Sequence, residues 1–122
     1  MRIAVILVPF AFVACGGSGG GGPTEAPVNL TAAGLSSAAI TIPSGGRVHF
    51  FNKDTVNHQI TSPTAGCSDL DTPMLAPGTD SLRPIMTGPL SCTFGDALTS
   101  AAAFNGSVTV NAPGSTDGGS GY

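Results

Sequence analysis

Two histidines, three cysteines, three methionines and seven carboxylates supply most of the chemically versatile side chains in this 122-residue chain. Imidazole, thiolate, thioether and carboxylate groups can act as metal ligands, nucleophiles or acids and bases. The candidates are His49, His58, Cys67, Cys92, Met74 and Met86. In Val48-His-Phe-Phe51, His49 points away from the face shared by Val48 and Phe50, so it reads as a solvent-facing strand residue. His58 reads either as a ligand or as a loop-end histidine bonded to nearby backbone. Met74 and Met86 read as fillers of irregular gaps in a small core. There is no Ser-His-Asp set with workable spacing, no pair of carboxylates in an apolar context and no HExxH. The glycine tract at 16–22 lacks the Lys-Ser/Thr pair of a P-loop and follows no strand. The expectation is a protein that is not an enzyme.

Composition narrows the classes further. Four basic residues against seven acidic ones, a formal net charge of −3, cannot neutralise many phosphates, which excludes a nucleic-acid partner. Charged residues make up 9% of the chain, against about 25% in typical domains. Together with 18 Gly, 10 Pro and a hydrophobic share of only 41%, this composition excludes a coiled coil and a multi-span membrane protein. At 41% hydrophobic the chain can still bury one core.

The elements that must position these side chains read as short strands over residues 28–111. Ala39-Ile-Thr-Ile42 alternates and ends at the turn Pro43-Ser-Gly-Gly46. Arg47–Asn52, Asn57–Thr61, Thr79–Thr87, Leu90–Phe94 and Gly106–Val110 follow at hairpin-like spacing. Pro84 marks an edge strand or a bulge, because it cannot donate to a ladder. The pattern predicts an all-β, antiparallel sandwich. The segment 96–104 is equally open to one or two helical turns and to a plain loop. Residues 112–122, rich in Gly, Ser and Pro, read as a disordered tail.

Before the strands comes a targeting segment. Arg2 is the only charge before Glu25 and precedes the apolar run Ile3–Val13. That run is too short to span about 30 Å of hydrocarbon and suits the core of a secretory signal. It ends in Phe12-Val-Ala-Cys15, which resembles the lipobox of bacterial lipoproteins, with Phe12 where that family usually has Leu. The resemblance implies cleavage after Ala14 and a lipid on Cys15. Residues 1–14 are then a lipoprotein signal peptide and 15–27 a Gly-rich tether. The implied setting is the bacterial cell envelope, as a monomer held to the periplasm-facing outer membrane or the cell surface by acyl chains rather than by charge. The sequons at Asn29 and Asn105 matter only in a eukaryotic secretory pathway, which the lipobox argues against.

Within the strand region, Ile40-x-Ile42-Pro-x-Gly-Gly-x-Val48-x-Phe50-x-Asn52-x-Asp54-x-x-x-His58-x-Ile60 resembles the entry pattern of cupredoxins. Leu75-x-Pro77-Gly78 is similar to that family's central turn. Cys92 followed by Phe104-x-Gly106-x-Val108-x-Val110 resembles its closing block. The resemblance covers roughly residues 38–111 and implies a Greek-key β-sandwich with His58 as the first copper ligand and Cys92 near the thiolate position. The rest of the ligand set departs from the family. A blue-copper site takes two His, a Cys thiolate and usually an axial Met. No His or Met stands between Cys92 and Gly106, and Phe104 holds the place of the Met.

With Cys15 lipidated, Cys67 and Cys92 remain as an even pair in an exported protein, and similar cupredoxin-like proteins imply a disulfide between them. Such a bond would remove the thiolate that blue copper needs. The expectation is therefore a lipid-anchored, cupredoxin-like binding or structural module with an incomplete copper site and no cofactor. The alternative is a copper protein, for electron transfer or for Cu(II) trafficking, using His58 with oxygen ligands such as Asp54 or Asp96.

Overall fold

The computed structural model describes residues 22–114. The expected signal peptide, Cys15 and most of the tether lie outside the described residues, as does the tail beyond Gly114. Eight strands run in the order β1 Glu25–Thr31, β2 Gly34–Leu35, β3 Ala39–Ile42, β4 Arg47–Asn52, β5 Ile60–Thr61, β6 Asp80–Leu82, β7 Leu90–Asp96 and β8 Gly106–Val110. They form two four-stranded sheets, β2-β1-β4-β6 and β3-β8-β7-β5. Among the described residues the helical elements are two 3-10 turns, Ser68–Leu70 and Ala102–Phe104. The second turn lies in the segment whose sequence left helix and loop open.

Alternation decides which faces meet. Val28 and Leu30 of β1, Ile40 and Ile42 of β3, Val48 and Phe50 of β4, Phe94 of β7 and Val108 and Val110 of β8 are all buried between the sheets. Phe50 and Phe94 meet edge to face with centroids 5.5 Å apart. Cys67 and Cys92 are bonded, with Cα atoms 6.0 Å apart and both residues buried. The bridge ties β7 to the segment entering the first 3-10 turn.

Three features depart from the sequence reading. The sheets are mixed rather than antiparallel: β1 runs parallel to β4, and β3 runs parallel to β8. Parallel neighbours require a crossover, and here the chain crosses between sheets before returning, which turn spacing cannot reveal. The first strand begins at Glu25 rather than at 28, because Glu25 pairs with Arg47 in register and by a 3.0 Å ion pair. Pro27 is tolerated inside β1 because β2 covers that strand only at Leu30 and Thr31. Finally, Met86 fills the core at 2% exposure, but Met74 is 55% exposed and packs no core. It sits in the loop between β5 and β6, where its Sδ accepts a hydrogen bond from Asn57 Nδ2 at 3.3 Å.

Candidate functional site

The end of β4 builds one pole of the sandwich. Asn52 faces inward, as the strand's alternation demands, and is 1% exposed. A buried amide must spend its hydrogen-bonding capacity. Its Nδ2 donates to Val56 O at 2.9 Å and Leu75 O at 2.8 Å, and its Oδ1 accepts from Asp54 N–H at 2.9 Å. This Asx-type turn folds the loop back and places Asp54. His58 follows, its backbone fixed by a two-way bridge to Leu75.

His58 is buried, and both ring nitrogens are engaged. Nδ1 hydrogen-bonds Asp96 Oδ2, and Nε2 hydrogen-bonds Asp54 Oδ2 at 2.9 Å. Asp96 closes β7 and is itself held. Its Oδ1 accepts from the Gln59 N–H at 3.1 Å and the Leu98 N–H at 2.9 Å. The ring of Phe104 lies against the imidazole, with centroids 4.5 Å apart. Burial pulls the His58 pKa down, but the hydrogen bonds its ring donates to Asp96 and then to Asp54, with the charges of those carboxylates, outweigh it and raise it above the usual 6.5. Asp54 is held below the usual 3.8, first by its bond to His58 and then by the Thr55 N–H.

The sequence-predicted residues separate into three groups. His58 stands in the cluster together with both Asp54 and Asp96. Cys92 does not. It lies four residues before Asp96 on the same face of β7, about 13 Å along the strand, and its sulfur is bound to Cys67. The strand position facing His58 thus belongs to Asp96, not to Cys92. His49 lies on the outer face as expected. There its Nε2 meets Asp80 Oδ2 at 2.6 Å, its Nδ1 lies 3.5 Å from Glu25 Oε1, and its ring stacks on Phe51. The two carboxylates that the sequence reading names beside His58 as oxygen ligands, Asp54 and Asp96, are the two that meet its ring, as hydrogen-bond partners. Asp96 shares the inward parity of Cys92 and Phe94, and an inward carboxylate needs a cation or a donor.

A thiolate, two imidazoles and a thioether do not converge here, because Cys92 is oxidised, His49 is on the other face and Phe104 fills the ring's flank. Nor do the oxygen donors converge. Asp54 and Asp96 approach the imidazole through different nitrogens, which point out of the ring in diverging directions. Among the described residues, no group of three or more His, Cys, Asp or Glu side chains is placed to hold one ion.

No family model matches the sequence, and no curated protein matches it either. Solved structures do match. A purple cupredoxin from Nitrosopumilus maritimus superposes with a TM-score of 0.60 at 21% identity, covering 70% of this chain and 99% of that one. Plastocyanin from Dryopteris crassirhizoma gives 0.58 at 22% identity, covering 70% and 100%. The fold is cupredoxin-like. A copper-containing nitrite reductase from Thermus scotoductus also matches, with a TM-score of 0.65 at 18% identity over 82% of this chain. The chain spans only a quarter of that enzyme's length. The cupredoxin-like sandwich accounts for the Greek-key crossing and the parallel pairs, and it places His58, Asp96 and Phe104 together at one pole.

Proposed function

We propose that this chain is an exported, lipid-anchored cupredoxin-like protein whose copper site is incomplete, and that it works as a non-catalytic binding or structural module rather than as an electron carrier. The observation that carries this reading is the state of the two ligand candidates. Both nitrogens of His58 are taken by carboxylates, and the sulfur of Cys92 is taken by Cys67. Blue-copper chemistry needs a Cu–thiolate bond with two imidazoles. The described chain offers no free thiolate, and its other imidazole stacks on Phe51 on the outer face. Copper added to the purified protein, oxidised or reduced, should produce no intense visible thiolate-to-copper band. A stoichiometric coloured complex that disappears in Cys92→Ser would overturn the proposal in favour of an electron carrier.

The anchor rests on Phe12-Val-Ala-Cys15 in the sequence, and one feature of the fold suits it. The described chain enters the sheet at Glu25, beside Arg47 at the start of β4, while the His58 cluster follows the end of β4. A tether therefore joins the pole opposite that cluster. In this reading the protein is a monomer on the periplasmic face of the outer membrane or on the cell surface. Cys15→Ser should move it from the membrane fraction to the soluble one or leave an uncleaved precursor. An unmodified mature N-terminus elsewhere, found by mass spectrometry, would refute the anchor.

A second reading is favoured by the presence of two carboxylates at His58, the donor types that suit Cu(II). It requires one carboxylate to swing away and share an ion with the imidazole. Calorimetric titration with Cu(II) separates the readings: trafficking demands a one-to-one site abolished in His58→Ala.

A further inference from the structure

The sulfur atoms of the described chain differ in their access to solvent. Cys67 and Cys92 are bonded to each other and buried. Met86 sits in the core at 2% exposure, whereas Met74 is 55% exposed. Susceptibility of sulfur to two-electron oxidants follows exposure. Among the described residues, Met74 is therefore the sulfur open to oxygen transfer.

Its place in the fold gives that chemistry a consequence. His58 and Leu75 pair as an isolated antiparallel bridge. The His58 N–H donates to Leu75 O at 3.0 Å, the Leu75 N–H donates to His58 O at 2.6 Å, and both residues are buried. The residues just before them, Asn57 and Met74, are exposed. They meet diagonally across the bridge, where Asn57 Nδ2 donates to Met74 Sδ at 3.3 Å. This outer tie braces the bridge that fixes the backbone of His58. As it stands the tie is weak, because a thioether sulfur is a weak acceptor. Oxidation turns the thioether into a polar sulfoxide, whose oxygen is a better acceptor. The Met74 side chain is unbranched and has three rotatable bonds. Being exposed, it can draw its sulfur back by one S–O bond length and leave the oxygen before the Asn57 amide.

We propose that Met74 is a reversible oxidation switch at the His58 pole, taking an oxygen atom from hydrogen peroxide and thereby tightening its tie to Asn57. In that step a lone pair on Sδ attacks one oxygen of the peroxide. The S–O bond forms as the O–O bond breaks. The sulfur is oxidised by two electrons, and the peroxide is reduced. The proton of the transferred hydroxyl passes to the departing hydroxide, which leaves as water. A methionine sulfoxide reductase reverses the change: two thiols become a disulfide, the oxygen leaves as water and the thioether returns. The switch does not depend on how copper is excluded from this pole or on how the chain is anchored.

The test treats the full chain with hydrogen peroxide at fixed pH and follows each methionine by peptide mapping. Met74 should gain one oxygen atom at least tenfold faster than Met86. NMR then reads the consequence. In the Met74 sulfoxide form the amide protons of His58 and Leu75 should exchange with solvent about threefold more slowly, and the side-chain amide protons of Asn57 should shift. Treatment with the reductase should restore both. In Asn57→Ala, Met74 should still oxidise but exchange should not slow. In Met74→Leu, peroxide should leave exchange at His58 and Leu75 unchanged. The proposal is overturned if Met86 oxidises as fast as Met74, if the sulfoxide leaves exchange at His58 and Leu75 unchanged or faster, or if Asn57→Ala shows the same slowing as the wild type.

Discussion

A single imidazole gripped from two sides makes the His58 pole depend on pH in a definite direction. His58 is raised above its unfolded value, so its contribution to stability is complete below about pH 6.5 and is lost as pH rises through the higher folded value. Asp54 is lowered, so its contribution is present above its unfolded value and is lost as pH falls through the lower folded one. Stability should therefore peak between these limits. The urea midpoint should fall as pH is raised through the folded His58 value, and His58→Gln should lack this alkaline decline. A wild-type midpoint unchanged from about pH 6 to about pH 9 would contradict the linkage. Asp96 is the more demanding partner, because its side chain is fully buried and also satisfies two backbone N–H groups. Breaking a buried pair from one side typically costs about 3–5 kcal/mol. Asp96→Ala should fall in that range, and Asp54→Asn, at the loop, should cost less. Equal losses would mean that the cluster is not organised around Asp96.

Strands with clean alternation were readable from the sequence. In Ala39–Ile42, Arg47–Asn52 and Gly106–Val110 every second residue is apolar, and each forms a strand with those residues inward. Elements without that signature escaped. Glu25-Ala-Pro27 resembles a linker in composition, yet an ion pair and a parallel register make it the start of β1. The loop strand at Thr79–Thr87 shrinks to Asp80–Leu82 before Pro84. At the site, His58 was legible through a local motif, but its partner Asp96 is 38 residues away. The resemblance points to Cys92 on the same face of β7 as the thiolate, while Asp96 enters only as an oxygen ligand of the alternative reading. The disulfide that occupies Cys92 bears on stability as well as on chemistry. It closes a loop with a sequence separation of 25, for which the chain-entropy relation gives about 3.5 kcal/mol. Replacing both cysteines by Ala should lower the unfolding free energy by roughly 3 kcal/mol at an unchanged fold. A loss below about 0.5 kcal/mol would mean that the segment entering the 3-10 turn Ser68–Leu70 is held mainly by Leu70 and its neighbours.

Across the whole molecule, the polarity of the strands turns the proposed anchor into an orientation. β4 runs from Arg47, beside the chain's entry at Glu25, to Asn52, beside the His58 cluster. β8 is antiparallel to β7 and parallel to β3, so it ends at Val110 on the entry side, next to Ile42. The chain therefore enters and leaves the sandwich at one pole, and the Asp54–His58–Asp96 cluster occupies the other. Ten residues, Cys15 to Thr24, would link a lipidated Cys15 to β1. A Gly-rich coil of that length spans about 16–19 Å root mean square. The six residues of β4 add about 20 Å between the poles. These lengths are comparable, so tumbling on the tether cannot erase the difference in mean height. The entry pole stays nearer the bilayer on average. The prediction uses a fluorophore on Ala112→Cys, at the exposed exit from β8, and on Thr55→Cys, in the exposed loop at the cluster pole. In vesicles carrying a headgroup quencher, the label at 112 should be quenched more than the label at 55. Detaching the protein with Cys15→Ser should abolish quenching at both. Equal quenching of the two labels on the anchored protein would mean that the cluster pole itself rests on the membrane. Stronger quenching at 55 would reverse the orientation that the strand directions require.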